Sequence, residues 1–135
     1  MQTRSATEEL ALRMFYLANR ENGLFPPEYS FEQAEQDLST WQILPILHNN
    51  QPVGAFIQQG PELHLAVRAY VKERWLTFGY LDQAFNRTIE EYGYVCTKAP
   101  LVWPKRVVTI PNLQRSGFVE WKRDRHYIWY WMTRP

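Results

Sequence analysis

Two carboxylates lead the side chains of this chain that could do chemistry. Glu62 stands at the start of an alternating run, and Glu73 lies in a charged segment ahead of a long helical pattern. Either could take a proton from an amine as a general base. Carboxylates at the ends of strands and helices are also ordinary surface groups, and both readings stay open. His48, His64 and His126 lie far apart, with no acidic neighbour at metal-ligand spacing. Zinc needs clustered ligands, so no metal centre is expected. Cys96 is the single cysteine; it excludes an intramolecular disulfide and fits a reducing compartment. There is no Ser-His-Asp order, nucleophile elbow or P-loop.

The elements that would position these groups belong to one domain, residues 1–135. Hydrophobic residues make up 45% and aromatics 16%, which predicts an ordered core rather than a disordered chain. Six Trp, eight Tyr and seven Phe leave two readings open, an aromatic core or a partner-binding surface. A net charge of +1 argues against a strongly basic nucleic-acid binder, so no specific nucleic acid is expected. Charge is uneven, however. Residues 1–62 carry three arginines against eight carboxylates, and residues 98–135 carry eight cations against two carboxylates. Such a chain could pair its own halves or dock on charged partners, a homo-oligomer included. No signal peptide and no run of ~20 apolar residues is visible, so a soluble intracellular protein without a membrane segment is expected.

Ser5 with Glu8 reads as a capping box, followed by a helix with Leu10, Met14, Leu17 and Ala18 on one face and Gly23 after its end. Ser30 with Gln33 starts a short second helix. Three strands follow as an antiparallel meander: Trp41 to His48, Pro52 to Gln58 and Glu62 to Arg68. Pro45 marks the first as an edge or a bulge. Thr77 to Tyr92 reads as an amphipathic helix closed by Gly93. Tyr94 to Thr97 and Leu101 to Trp103 look extended, and Lys105 to Ser116 is limited by Pro111 to short helical pieces. Phe118 to Trp121 and His126 to Thr133 pair across Lys122–Arg125. The fold class is α/β, a mixed, mainly antiparallel sheet with flanking helices. The helix between the third and fourth strands is a crossover that makes those strands parallel. In the tail, Tyr127, Trp129 and Trp131 alternate with Ile128, Tyr130 and Met132. Both faces are apolar, so one meets the core and the other meets core or partner.

The run Val107 to Phe118, with Gly117-Phe118 before a final hairpin, resembles the end of a GCN5-related N-acetyltransferase domain. Asn50-Gln51-Pro52-Val53-Gly54-Ala55-Phe56 is similar to that family's second-to-third strand, and the resemblance covers about residues 3 to 133. It implies acetyl-CoA as a cofactor, held by a Gly-rich loop and a helix N-terminus that bind the pyrophosphate. The matching segment, Val71 to Gly79, carries only Gly79, with Trp75 and Phe78 where small residues would be expected. Arg74, Thr77 and Gly79 are then the cofactor-binding candidates. The family's proton-donating Tyr falls on Leu113 and its Asn on Arg106, and Tyr127 or Tyr130 would have to supply the acid. If the chain is an enzyme, its catalytic candidates are Glu62, Glu73 and Tyr127. The departures point away from catalysis and from any bound cofactor.

The chain also resembles small head-morphogenesis proteins of short-tailed phages. The segments are Val53-Gly54-Ala55-Phe56, Lys72-Glu73-Arg74-Trp75, and Ser116-Gly117-Phe118 through the aromatic tail. That resemblance implies a non-enzymatic virion-assembly factor in loading of DNA-ejection proteins, with phage head or ejection proteins as partners. Its place would be the host cytoplasm during assembly, or the virion. Trp103, Trp121, Trp129 and Trp131 would form the interface. The alternative is an acetyl-CoA-dependent N-acyltransferase.

Overall fold

Helix α1 (Ala6–Glu21) begins at the expected cap. Ser5 Oγ accepts from the Glu8 amide at 3.1 Å, and the Glu8 carboxylate accepts from the Ser5 amide at 2.8 Å. Two first-turn donors that lack helical partners are thereby satisfied. The buried face differs from the expected one. Ala11, Leu12, Phe15 and Ala18 meet the sheet, while Leu10 is 39% exposed. The two alanines let the helix approach the strands closely, and Leu12 and Phe15 fill the space beside them. Helix α2 (Phe31–Asp37) has half a capping box, with Ser30 Oγ accepting from the Gln33 amide at 3.1 Å. Arg4 donates to the carbonyls of Leu38 at 2.7 Å and Trp41 at 3.2 Å, tying the start of α1 to the chain that enters the sheet.

The computed structural model describes residues 3–68, 70–71, 80–100 and 117–133. Its strands are β1 (Gln42–His48), β2 (Gln51–Gln59), β3 (Glu62–Val67), β4 (Val95–Pro100), β5 (Val119–Arg123) and β6 (Tyr127–Met132), with α3 (Tyr80–Tyr92) between β3 and β4. They form one sheet in the order β1-β2-β3-β4-β6-β5. All neighbours are antiparallel except β3 and β4, as the crossover helix requires. Asn49 and Asn50 both have positive φ, 52° and 63°; asparagine tolerates the left-handed backbone that a two-residue hairpin needs. Pro45 lies on edge strand β1, next to a register shift between Ile46 and Leu47. Two expected boundaries move. β4 continues to Pro100, because it pairs with β6 along its whole length. Lys122 and Arg123 belong to β5, and Asp124 makes the turn by accepting from the His126 and Tyr127 amides, each at 2.8 Å.

The sheet has a core on each face. Ala11, Leu12, Phe15 and Ala18 pack against Ile43, Ala55, Ile57 and Ala66 on the α1 side. On the α3 side, Ala84 and Phe85 pack with Phe56, Leu63, Val95, Phe118, Ile128, Tyr130 and Met132. Alternation along β6 therefore commits Ile128, Tyr130 and Met132 to the core and turns Tyr127, Trp129 and Trp131 the other way. Among the described residues, no helix is long and apolar enough to cross a membrane.

A buried polar pair fixes α3 to the sheet. Gln58 Nε2 donates to Thr88 Oγ1 and to the Gly60 carbonyl, both at 3.1 Å, and Thr88 Oγ1 donates to the Ala84 carbonyl at 2.7 Å. Thr88→Val keeps the shape but removes an acceptor from a buried amide. It should cost about 1–3 kcal/mol in urea unfolding, and Gln58→Leu in the same chain should recover part of that loss.

Candidate functional site

The parallel pair β3 and β4 is joined by one register pair, Glu62 opposite Cys96, beside the hydrogen bond from the Cys96 amide to the Pro61 carbonyl at 2.9 Å. β3 pairs with β2 over its full length, and β4 with β6 over its full length. Beyond Glu62 no ladder pair joins β3 to β4 among the described residues, so the sheet parts into a wedge. The wedge opens toward the carboxyl ends of two parallel strands, where α/β sheets commonly bind ligands. Among the described residues, the backbone groups that flank it have no ladder partner across the gap, and a ligand that bears amides could add there as a strand would.

Glu62 and His64 stand at the apex. They are two residues apart on a strand, so they share a face, and a hydrogen bond joins His64 Nε2 to the Glu62 carboxylate. His64 packs on Trp41, with ring centroids 5.7 Å apart, and its Nδ1 lies 3.4 Å from Thr97 Oγ1 across the wedge. With Glu62 ionised, the proton between them sits on His64 Nε2. Nδ1 is then left as the lone-pair nitrogen facing the gap. The hydrogen bond from His64 holds the Glu62 carboxyl below its usual range, against the opposing effect of burial; the charges of His64 and Lys98 add to it. A depressed folded-state pKa gives stability that is present above pH 4.5, the ordinary value, and is lost as pH falls through the lower folded value. The pair is partly exposed, so the effect is modest. Glu62→Gln should lower stability at neutral pH by less than about 1 kcal/mol, and the difference from the native chain should vanish in acid.

Cys96 is buried at the same apex. Burial, and then the nearby Glu62 charge, push its thiol up to about 11. It is a neutral thiol at physiological pH and a poor nucleophile.

The α1-side face of the sheet continues past the wedge onto β4, β6 and β5. Lys98 is opposite Trp129, and Trp129 is opposite Lys122. Lys98 Nζ lies 4.4 Å from the Tyr127 ring centroid and 5.2 Å from that of Trp129. Lys122 Nζ lies 4.8 Å from Trp121 and 5.0 Å from Trp129. A register shift between Glu120 and Lys122 sets two β5 residues against one on β6, which brings Lys122 to the same side as Trp121. Val119, Trp121 and Trp131 are 62%, 52% and 42% exposed.

Among the residues expected from sequence, Glu62 is at the wedge, Tyr127 is on the outer face beside the end of β4, and Trp121, Trp129 and Trp131 share that face. Tyr130 is buried in the α3-side core, opposite Thr97 on β4. Glu73, Arg74, Thr77, Gly79 and Trp103 lie outside the described residues, as do Lys72, Arg106 and Leu113. His64 was not expected. The signal was present, since alternation along β3 already places it beside Glu62. A polar cleft of about 420 Å³, lined by Arg4, Glu8, Gln42 and Gln59 among others, lies at the end of the sheet where β3 begins, away from the opening.

No family profile and no curated protein matches the sequence. Solved structures do match the fold. An acetyltransferase from Thermus thermophilus is 20% identical, with a TM-score of 0.66, over 94% of this chain and 90% of that one. An acetyltransferase of the GNAT family from Desulfovibrio desulfuricans is 16% identical, with a TM-score of 0.67, over 98% and 95%. An N-acetyltransferase from Thermoplasma acidophilum, solved with coenzyme A, is 13% identical, with a TM-score of 0.59, over 93% and 89%. The chain therefore has the fold of these acetyltransferases, as its sequence resemblance implied. The phage resemblance gains no support from these neighbours.

Proposed function

We propose that this chain is an acyl-CoA-dependent N-acyltransferase. The observation that carries the reading is the single-bridge wedge between β3 and β4, with the Glu62–His64 pair at its apex. A CoA tail carries amides in an extended chain, and the unpaired flanks of the wedge are suited to hold them. Bound there, acyl-CoA would supply an activated thioester. The chain's own part is to receive the acceptor amine. Glu62 orients His64, His64 Nδ1 takes the amine proton, and the Glu62 carboxylate stabilises the imidazolium that results. Arg74 and the amides of the segment from Thr77 to Gly79 are the candidates for the pyrophosphate. Glu73 remains a second candidate base and Tyr127 a candidate proton donor. Support comes from the shared fold and from the coenzyme A bound to one neighbour.

Calorimetric titration with acetyl-CoA tests this. A micromolar dissociation constant that is weakened in Arg74→Ala, followed by acetyl transfer in an amine screen, supports the reading. No heat and no thermal shift at millimolar ligand overturns it.

A second reading is an assembly factor without catalysis, favoured by the exposed tryptophan face of β5 and β6. Its partners would be phage head or ejection proteins, met in the host cytoplasm or the virion. A failed titration together with partner capture that depends on Trp121 and Trp131 would favour it.

A further inference from the structure

Lys98 brings an amine to the wedge on the flank opposite His64. Glu62 stands opposite Cys96 in the parallel pair. Two residues further along each strand, His64 on β3 and Lys98 on β4 lie on the same face and at the same level of the gap. The gap is narrow there. Thr97, the residue before Lys98, has its Oγ1 3.4 Å from His64 Nδ1. The Glu62 carboxyl is held down first by the hydrogen bond from His64, against burial, and then by the charges of His64 and Lys98. The Lys98 ammonium is therefore felt at the apex.

Lys98 is half-buried, and its Nζ rests 4.4 Å from the Tyr127 ring centroid and 5.2 Å from that of Trp129. Those rings belong to β6, on the side of β4 away from β3. Contacts of this kind are weak where water has access, and a flexible four-carbon stem carries the ammonium. Rotation about that stem takes Nζ from the rings toward the wedge without moving the backbone. The rings attract the ammonium and not the neutral amine, so deprotonation releases the form that can react. Lys122 is placed differently. It lies on β5, which β6 separates from β4, so two strand spacings, roughly 10 Å, part it from Lys98.

We propose that Lys98 is a self-acetylation site, its ε-amine accepting the acetyl group of a thioester held in the wedge, with His64 as the base. The inference rests on the acyl-CoA reading above. Lys98 first loses one ammonium proton to water. As Nζ bonds to the acetyl carbon, the carbon–sulfur bond breaks. His64 Nδ1 takes the second proton and returns it to the departing sulfur. CoA leaves as the thiol, and Lys98 is left as a neutral amide.

The full chain is incubated with saturating acetyl-CoA in mildly alkaline buffer and followed by intact mass and peptide mapping. Calorimetry reads acetyl-CoA binding on the same samples. One acetyl group at Lys98 is expected, at a rate unchanged when the protein is diluted. His64→Ala should bind acetyl-CoA as the native chain does but gain the group at least about 100-fold more slowly. Lys98→Arg should bind it and stay unmodified. Without any ligand, the Glu62 titration read by NMR should move up in Lys98→Met, because a nearby cation has gone. Acetyl-CoA that binds but leaves Lys98 unmodified, or that modifies Lys122 or Lys72 as fast, overturns the inference and leaves the acyl-CoA reading standing. So does a rate that grows with protein concentration, which would mean transfer between copies, or an unmoved Glu62 titration. A chain that gives no heat with acetyl-CoA overturns the acyl-CoA reading and this inference with it.

Discussion

Alanine at position 54 is expected to destabilise the fold by about 3 kcal/mol or more, at the upper end of overpacking costs. Gly54 lies where β2 passes β3 most closely. A Cβ there would sit 2.3 Å from the Ala66 carbonyl oxygen, 2.7 Å from the Val67 Cα and 2.9 Å from a Val67 methyl. The first two are backbone atoms, and they cannot turn away as a side chain can. Relief requires β2 and β3 to separate at Gly54, which is opposite Val67. The melting temperature should fall by about 10 °C. β3 also carries Glu62 and His64, so any folded fraction should bind ligand at the wedge poorly. Gly60→Ala is the control. Nothing lies within 4 Å of its Cβ, but its φ is +59°, so it should cost only the left-handed backbone penalty of about 1–2 kcal/mol. Equal losses at the two positions would mean that the β2–β3 approach is looser than described.

The second large effect is catalytic and rests on the proposed acyl transfer. His64→Ala should lower acetyl transfer by about 100- to 10,000-fold, the range for loss of a positioned general base. Acetyl-CoA affinity should be unchanged, so the loss appears in kcat rather than in cofactor binding. Glu62→Gln should lose less, because the imidazole remains as a base but loses its orienting carboxylate. Its rate should recover partly at higher pH, where unprotonated amine is more abundant. A His64→Ala chain that transfers at the native rate would remove the Glu62–His64 pair from the mechanism and return attention to Glu73.

Much of the architecture is written in short-range chemistry. Ser5 with Glu8, Ser30 with Gln33, the two asparagines of the first hairpin and Gly93 after α3 each satisfy or bend the backbone within a few residues of themselves. Alternation likewise divides β6 into Ile128, Tyr130 and Met132 against Tyr127, Trp129 and Trp131, and it pairs Glu62 with His64 on one side of β3. His64 stands far in sequence from the other histidines and so gives no metal signal; its meaning lies in a carboxylate two residues away.

What the amino-acid sequence determined by itself, then, is the set of elements, their caps and turns, and the parallel relation of β3 to β4 through a crossover helix. Only the tertiary structure decided which face of α1 is buried, that β6 rather than β5 lies against β4, and that β3 and β4 part after a single pair. It also decided which aromatics remain outside. The physical reason is range. Caps and hairpins draw their energy from neighbours along the chain, but strand order, a wedge in a sheet and the exposure of Trp121 and Trp131 depend on how distant surfaces fill space together.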